Sequence, residues 1–270
     1  MIDWTDAFDN SSYVPGSDAL PKLWAEMAAT WRDAMVRRGH AKCDVEYGPR
    51  ARNRFDLFLP DEAPRGLVVF VHGGYWRSMD RRDFSHLAAG ARRKGWAVAM
   101  PSYTLAPDAR VGGMVREIAT AITAASEMVK GPIRLVGHSA GGHLVSRMAC
   151  ADSPLEMEVA LRVNRVLSIS GIHDLRPILH TAMNSTIRLD ATESVEESPA
   201  LQAPRQGLAI HFAVGAAERP ELLRQTRLIA EAWARHRTKV TDSYLPGEDH
   251  FSIVETLADP ESLLIETLLG

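Results

Sequence analysis

Residues Ile133-Arg134-Leu135-Val136-Gly137-His138-Ser139-Ala140-Gly141-Gly142-His143-Leu144-Val145 decide the fold of this chain. The apolar run 133–136 predicts a strand, the stretch from 140 onward predicts a helix, and a Gly-x-Ser-x-Gly turn joins them. A turn that sharp holds Ser139 on strained backbone and lifts its hydroxyl above the end of a sheet. Gly137 and Gly141 are read as positions where a Cβ would crowd the neighbouring chain. This is the nucleophile elbow, and it implies chemistry by an activated serine.

Outward from that turn, apolar runs alternate with longer amphipathic stretches, the pattern of a parallel sheet with helices on both faces. Strands are expected near 42–47, 54–59, 67–72, 96–101, 133–138, 164–170, 208–214 and 239–245. Helices are expected near 20–38, 81–94, 112–129, 140–151, 220–237 and 250–268. In the first of these, Leu23, Trp24, Met27, Trp31 and Met35 fall on one side. The fold class is therefore α/β, a mostly parallel eight-stranded sheet in a single domain over 1–270, without a large separate cap and with helix 20–38 packed on it. Residues 172–206 break the alternation with Pro177, Pro199, Pro204 and the polar run Thr192–Ser198. An insertion of that length after a strand predicts a lid-like element over a pocket, with plain surface packing as the alternative.

With 270 residues, 46% of them hydrophobic, the chain can bury one sizeable core. A net charge of −3, with both signs dispersed, gives no electrostatic platform for nucleic acid. The clusters Arg92-Arg93-Lys94 and Arg235-His236-Arg237 fall near helix C-termini, where positive charge suits the dipole. Cys43 and Cys150 are far apart and lack metal-ligand spacing, so both read as buried small residues. The acidic start Met1–Asp6 lacks the apolar segment of a signal peptide, and no run of apolar residues is long enough to span a bilayer. A cytoplasmic protein is expected. No metal or cofactor is expected either, since there is no His-x-x-x-His and no Cys/His cluster.

A serine hydroxyl is a weak nucleophile at neutral pH and needs a base. Of the ten histidines, His138 and His143 are too near Ser139 in the chain, and His40, His86 and His236 read as surface residues. His250 lies in the turn-rich Pro246-Gly247-Glu248-Asp249-His250-Phe251, between the last strand and the last helix. The order Ser…Asp/Glu…His of the α/β-hydrolases puts the base there. The acid is expected after the penultimate strand, in Val214-Gly215-Ala216-Ala217-Glu218-Arg219-Pro220-Glu221. Glu218 is the first candidate, Glu221 its rival as a helix-start carboxylate, and Asp249 a weaker third. After strand 67–71 comes His72-Gly73-Gly74-Tyr75-Trp76, whose glycine pair lets amides turn toward a developing oxyanion. Gly73, Gly74 and Tyr75, with the Ala140 amide, are the expected oxyanion hole.

Taken together, His72–Trp76, Gly137–Gly142 and Asp249-His250-Phe251 resemble the α/β-hydrolases related to the serine-dependent arylformamidases, also called kynurenine formamidases. Ser102-Tyr103-Thr104-Leu105-Ala106-Pro107 is similar to a segment of the hormone-sensitive-lipase-like esterases. The resemblance runs from about residue 40 to 260. It implies hydrolysis of N-formyl-kynurenine to kynurenine and formate through a formyl-enzyme on Ser139, with Ser139, Glu218 and His250 matching the triad. The departure is Glu218, where the arylformamidase pattern has aspartate. A carboxylesterase for small acyl esters would use the same residues. The partner implied is a small molecule, an aryl formamide or short-chain ester, with no nucleic acid or membrane; a homodimer is compatible with the sequence. Trp76, Tyr103 and Met183 are expected to line the substrate site, Trp76 equally well serving as a core anchor. His173 and Asn184 are candidate polar contacts.

Overall fold

Each of the eight expected strands forms: β1 (Ala41–Glu46), β2 (Arg54–Phe58), β3 (Leu67–Val71), β4 (Ala97–Pro101), β5 (Ile133–His138), β6 (Val163–Ile169), β7 (Ala209–Gly215) and β8 (Lys239–Leu245). This is a computed structural model, and it describes residues 2–236 and 238–270. The strands form one eight-stranded sheet in the order β1-β2-β4-β3-β5-β6-β7-β8. β1 and β2 pair antiparallel, as do β2 and β4; every pairing from β4–β3 to β7–β8 is parallel.

Burial follows position in the sheet. β3 (Leu-Val-Val-Phe-Val) is buried at every residue, as a central parallel strand covered on both faces must be. β1, on the edge, alternates between half-buried and exposed residues. Successive side chains of β3 feed opposite faces. Leu67, Val69 and Val71 join one apolar cluster; Val68 and Phe70 join the other. The first cluster is closed by helices Val111–Met128, Ala140–Met148 and Pro220–Ala234, the second by Leu20–Arg37 and Leu263–Leu269. Each valine, leucine or phenylalanine fully buried this way contributes about 1.5–3 kcal/mol.

The chain departs from β3 toward β4 on one side and returns to β5 on the other. At such a switch point the loops leaving the carboxyl ends of the two strands border a crevice. The loop after β3 begins at His72 and the turn after β5 holds Ser139, so topology alone brings these two segments together.

Several expected elements are broken. The predicted helix 81–94 is two 3₁₀ turns, Arg81–Asp83 and Ser85–Ala88, followed by a short helix, Ala89–Arg93. Asp80 and Asp83 form a capping box on the first turn, which ends at Phe84 with φ −122°. The predicted helix 250–268 is split into Ser252–Glu255, a 3₁₀ turn Thr256–Ala258 and Leu263–Leu269. Asp259 is extended (φ −90°, ψ 118°), the conformation that Pro260 imposes on the residue before it. The helix predicted over 220–237 ends at Ala234; Arg237 lies outside the described residues.

The expectation of a lid over 172–206 is corrected. That stretch folds into short turns and helices docked beside helices Ala140–Met148 and Pro220–Ala234. His143 Nε2 donates to Glu197 O at 2.7 Å, Arg147 pairs with Glu197 at 2.8 Å, and Trp233 Nε1 donates to Pro199 O at 3.0 Å. None of its residues borders the cavity above Ser139. That cavity is bordered instead by the N-terminal segment, through Asn10, Ser11 and Ser17, and by the start of helix Leu20–Arg37.

Candidate active site

Ser139 sits at φ 56°, ψ −120°, a backbone conformation that costs a non-glycine residue of order 1–3 kcal/mol. Its neighbours make the turn close. A Cβ on Gly137 would lie 2.2 Å from the Gly141 carbonyl, and one on Gly141 would lie 2.0 Å from that of Val71. Ser139 N–H donates to Ile169 O on β6 at 2.8 Å, and its carbonyl accepts the first helical bond from His143 N at 3.1 Å. The strain is thus held by bonds on both sides of the residue.

The loop after β7 brings Glu218 to the loop after β8. Glu218 Oε2 lies 2.7 Å from His250 Nδ1. Its other oxygen accepts from Ser170 Oγ at 2.5 Å and from Gly215 N at 2.8 Å. A carboxylate gripped on both oxygens cannot turn, so it fixes the imidazole with Nδ1 as donor. The rival Glu221 points elsewhere, onto Arg224 Nη2 and Gln225 Nε2 at 2.7 and 2.8 Å. Asp249 caps its own turn, accepting from the amides of Phe251 and Ser252 at 2.8 and 2.9 Å.

Ser139 and His250 border one cavity of about 230 Å³, together with Gly73, Gly74, Tyr75 and His138. The amides of Gly74 and Tyr75 have no hydrogen-bond acceptor among the described residues. Gly74 takes φ 105°, and a Cβ there would lie 2.3 Å from Ser78 O. Gly73 packs directly on the elbow, where a Cβ would meet His138 O at 2.9 Å. Ala140 is fully buried and does not itself border the cavity. The rest of the wall mixes the polar Asn10, Ser11, Ser17 and Ser78 with apolar side chains, of which Trp24, Phe84 and Phe251 are the large members.

Trp76 and Tyr103 are not in that wall. Both are fully buried behind the His72–Trp76 loop. Trp76 donates its indole N–H to His143 Nδ1 at 3.2 Å. Tyr103 stacks on His72 with centroids 4.6 Å apart and donates its hydroxyl to His72 O at 3.2 Å. They brace the loop rather than contact a substrate, which corrects the expectation for both. Met183 packs against the core. His173 is fully buried, and Asn184 closes its own turn through Leu189 at 2.8 and 3.1 Å. His86, expected at the surface, is buried.

Sequence reasoning passed over three groups. His138 donates from Nε2 to the His250 carbonyl at 2.8 Å and so anchors the histidine loop; burial, with His250 beside it, pushes its pKa well below the ordinary histidine value. Ser170, at the end of β6, holds Glu218 from behind. Its place beyond a central strand was the available signal. Asn10 lies far away in sequence, and no pattern in the sequence marks it. Burial also lowers His72 to about 4 and His143 to about 3, so both stay neutral supports. Among the described residues, no group of three or more His, Cys, Asp or Glu side chains is placed to hold a metal ion, and no helix is long and apolar enough to cross a membrane.

A sheet of this order, with its tightest turn after the fifth strand, is that of the α/β-hydrolases, and the chain is a hydrolase enzyme of that type. Residues 55–206 match the sequence profile of the family described as BD-FAE, and the chain belongs to that family. It is similar to the kynurenine formamidase of Danio rerio, 29% identical over 84% of this chain and 80% of the relative. The Drosophila melanogaster kynurenine formamidase is 24% identical, over 86% of this chain and 81% of its own. Among solved structures, a thioesterase candidate from Silicibacter sp. TM1040 superposes with a TM-score of 0.95 and 41% identity, over 100% of both chains. Esterase B of Lactobacillus rhamnosis shares the fold at a TM-score of 0.67 and 18% identity, over 92% of this chain and 93% of that one.

Proposed function

We propose that Ser139, His250 and Glu218 act as nucleophile, base and acid in the hydrolysis of an aryl formamide of the N-formyl-kynurenine kind. The observation that carries this reading is the 2.7 Å contact between Glu218 Oε2 and His250 Nδ1, on a histidine that borders the same cavity as Ser139. With Nδ1 committed to Glu218, the free Nε2 takes the proton as Ser139 Oγ bonds to the formyl carbon. The carbonyl oxygen becomes an oxyanion met by the amides of Gly74 and Tyr75 and, from the elbow, Ala140, with Gly73 setting the close approach of the loop; losing one such donor costs about 100-fold or more in rate. His250 then returns the proton to the leaving nitrogen as the C–N bond breaks. Water, deprotonated by the same imidazole, attacks the formyl ester, releases formate and restores Ser139.

The aromatic side chains of Trp24, Phe84 and Phe251 support an aryl group, and the similarity to a kynurenine formamidase over 84% of this chain supports a formyl acyl group. Cytoplasmic placement is part of the same reading, supported by the unpaired state of Cys43 and Cys150. Cleavage of small acyl esters is the second reading; what favours it is that none of the described cavity-lining residues is Asp, Glu, Lys or Arg. Catalytic efficiency on N-formyl-kynurenine and on short p-nitrophenyl esters separates the two. The first reading expects the formamide to be the better substrate; a formamide value far below the ester value would leave the second.

A further inference from the structure

One buried group plays no part in the mechanism above. Asn10 is 4% exposed and borders two cavities, that of Ser139 and a neighbouring one of about 200 Å³ beside Glu218 and Arg219. Among the described residues, His250 is the other one that borders both. The orientation of the Asn10 amide follows from its partners. The Tyr75 hydroxyl lies 2.5 Å from Phe8 O and 3.0 Å from the Asn10 amide. A carbonyl can only accept, so the single phenolic proton goes to Phe8. The phenol oxygen therefore accepts from Asn10 Nδ2, and Asn10 Oδ1 is left as the other end of the group. That oxygen is buried and has no partner among the described residues. An unmet buried acceptor is unfavourable and calls for a donor.

The leaving group supplies a suitable one. It has to lie against His250, because the imidazole returns the proton to it. An amide nitrogen there must present its lone pair to Nε2, and it still carries an N–H that needs an acceptor. An ester oxygen at the same place carries no hydrogen. We infer that Asn10 Oδ1 accepts the N–H of the leaving nitrogen, which makes Asn10 a specificity-determining residue for amides over the matching esters. This rests on the reading that Ser139 and His250 cleave an acyl bond. It adds which atom of the leaving group the enzyme recognises, and it assigns the N-terminal segment a part in that choice.

The test uses formanilide and phenyl formate, which share acyl and aryl groups and differ only in the leaving atom, with the full chain and its Asn10→Leu and Asn10→Asp variants. The ratio of kcat/KM for the formamide to that for the ester should fall about 10-fold in Asn10→Leu and by less in Asn10→Asp, which keeps an acceptor. A ratio that holds within about threefold in folded Asn10→Leu overturns the inference, including the case where both substrates slow equally. Should Asn10→Leu not fold, N-methylformanilide on the wild-type protein gives an independent measurement. Lacking the N–H, it should be cleaved at least about 10-fold more slowly than formanilide, and equal rates refute the assignment. Wild-type protein that cleaves phenyl formate but not formanilide also refutes it, while leaving the serine hydrolase reading intact. Activity on both that survives Ser139→Ala refutes the proposed function itself and this inference with it.

Discussion

Glu218→Gln removes a charge while keeping the shape of the side chain, and the surrounding bonds decide which way the new amide faces. In the native protein one carboxylate oxygen accepts from Ser170 Oγ at 2.5 Å and Gly215 N at 2.8 Å, the other from His250 Nδ1 at 2.7 Å. The Gly215 N–H can only donate, so the glutamine oxygen stays on that side and its NH₂ group turns to His250. Nδ1 must then accept, the ring proton moves to Nε2, and Nε2 can no longer take a proton from Ser139. Imposing the wrong tautomer in a serine triad costs about 10⁴-fold in kcat, equivalent to about 5.4 kcal/mol of transition-state stabilisation. Steady-state hydrolysis of a p-nitrophenyl ester or formanilide reads the rate, and thermal unfolding confirms that the variant is folded. Glu221→Gln is the matched control, because that carboxylate is engaged by Arg224 and Gln225; it should stay within about threefold of wild type. A folded Glu218→Gln protein retaining more than about a tenth of wild-type kcat, or a larger loss at Glu221, would refute the reasoning.

Ser170→Ala deletes one of two donors to the rear oxygen of Glu218 and should lower kcat about 10-fold with little change in KM; an unchanged kcat would mean that Gly215 alone suffices. Gly141→Ala places a methyl 2.0 Å from the Val71 carbonyl, so the elbow cannot form as it stands, and Tm should fall by 10 °C or more, roughly a loss of several kcal/mol; a normal Tm would contradict the packing. His72 has its pKa lowered to about 4 by burial, whereas the unfolded chain titrates near the ordinary histidine value. The unfolded state therefore binds more protons in that window, and stability is full above the ordinary value and lost as pH falls toward 4. His72 alone should remove on the order of 1 kcal/mol at pH 5.5, with His138 and His143 acting in the same direction. Urea unfolding at pH 7.5 and 5.5 measures the difference, and His72→Gln should flatten it; equal stabilities at the two pH values would show that these rings are not held neutral.

The elements that could be read from sequence are those whose chemistry is local. Ile133–Val136, the two glycines around Ser139 and the helix after it form one continuous device, so the turn is legible without the rest of the chain. The parallel sheet is legible in runs that are apolar at every residue, such as Leu67–Val71, because a strand covered on both faces has that composition; the order of the strands is not. Side-chain direction is not local. Trp76 adjoins the glycine loop in sequence, yet its indole points at His143 on the far side of that loop, and nothing in His-Gly-Gly-Tyr-Trp encodes the difference. The same holds for Glu218 and Glu221, both acidic and both at a helix start, distinguished only by which donors they meet. The prolines and acids of 172–206 suit a lid or a docked surface equally, and the Glu197 contacts with His143 and Arg147 decide for docking. Asn10 could not be found at all, since its partner Tyr75 is 65 residues away and only the folded chain joins them.

The account stands on the hydroxyl of Ser139 being chemically activated by its surroundings. Mixing the protein with an aryl fluorophosphonate and mapping the modified peptide by mass spectrometry tests this directly. The prediction is a single stoichiometric adduct on Ser139, formed in step with loss of activity, absent from Ser139→Ala and formed far more slowly in Glu218→Gln. A folded wild-type protein that stays unlabelled, or an adduct on another residue while Ser139 remains free, would contradict it.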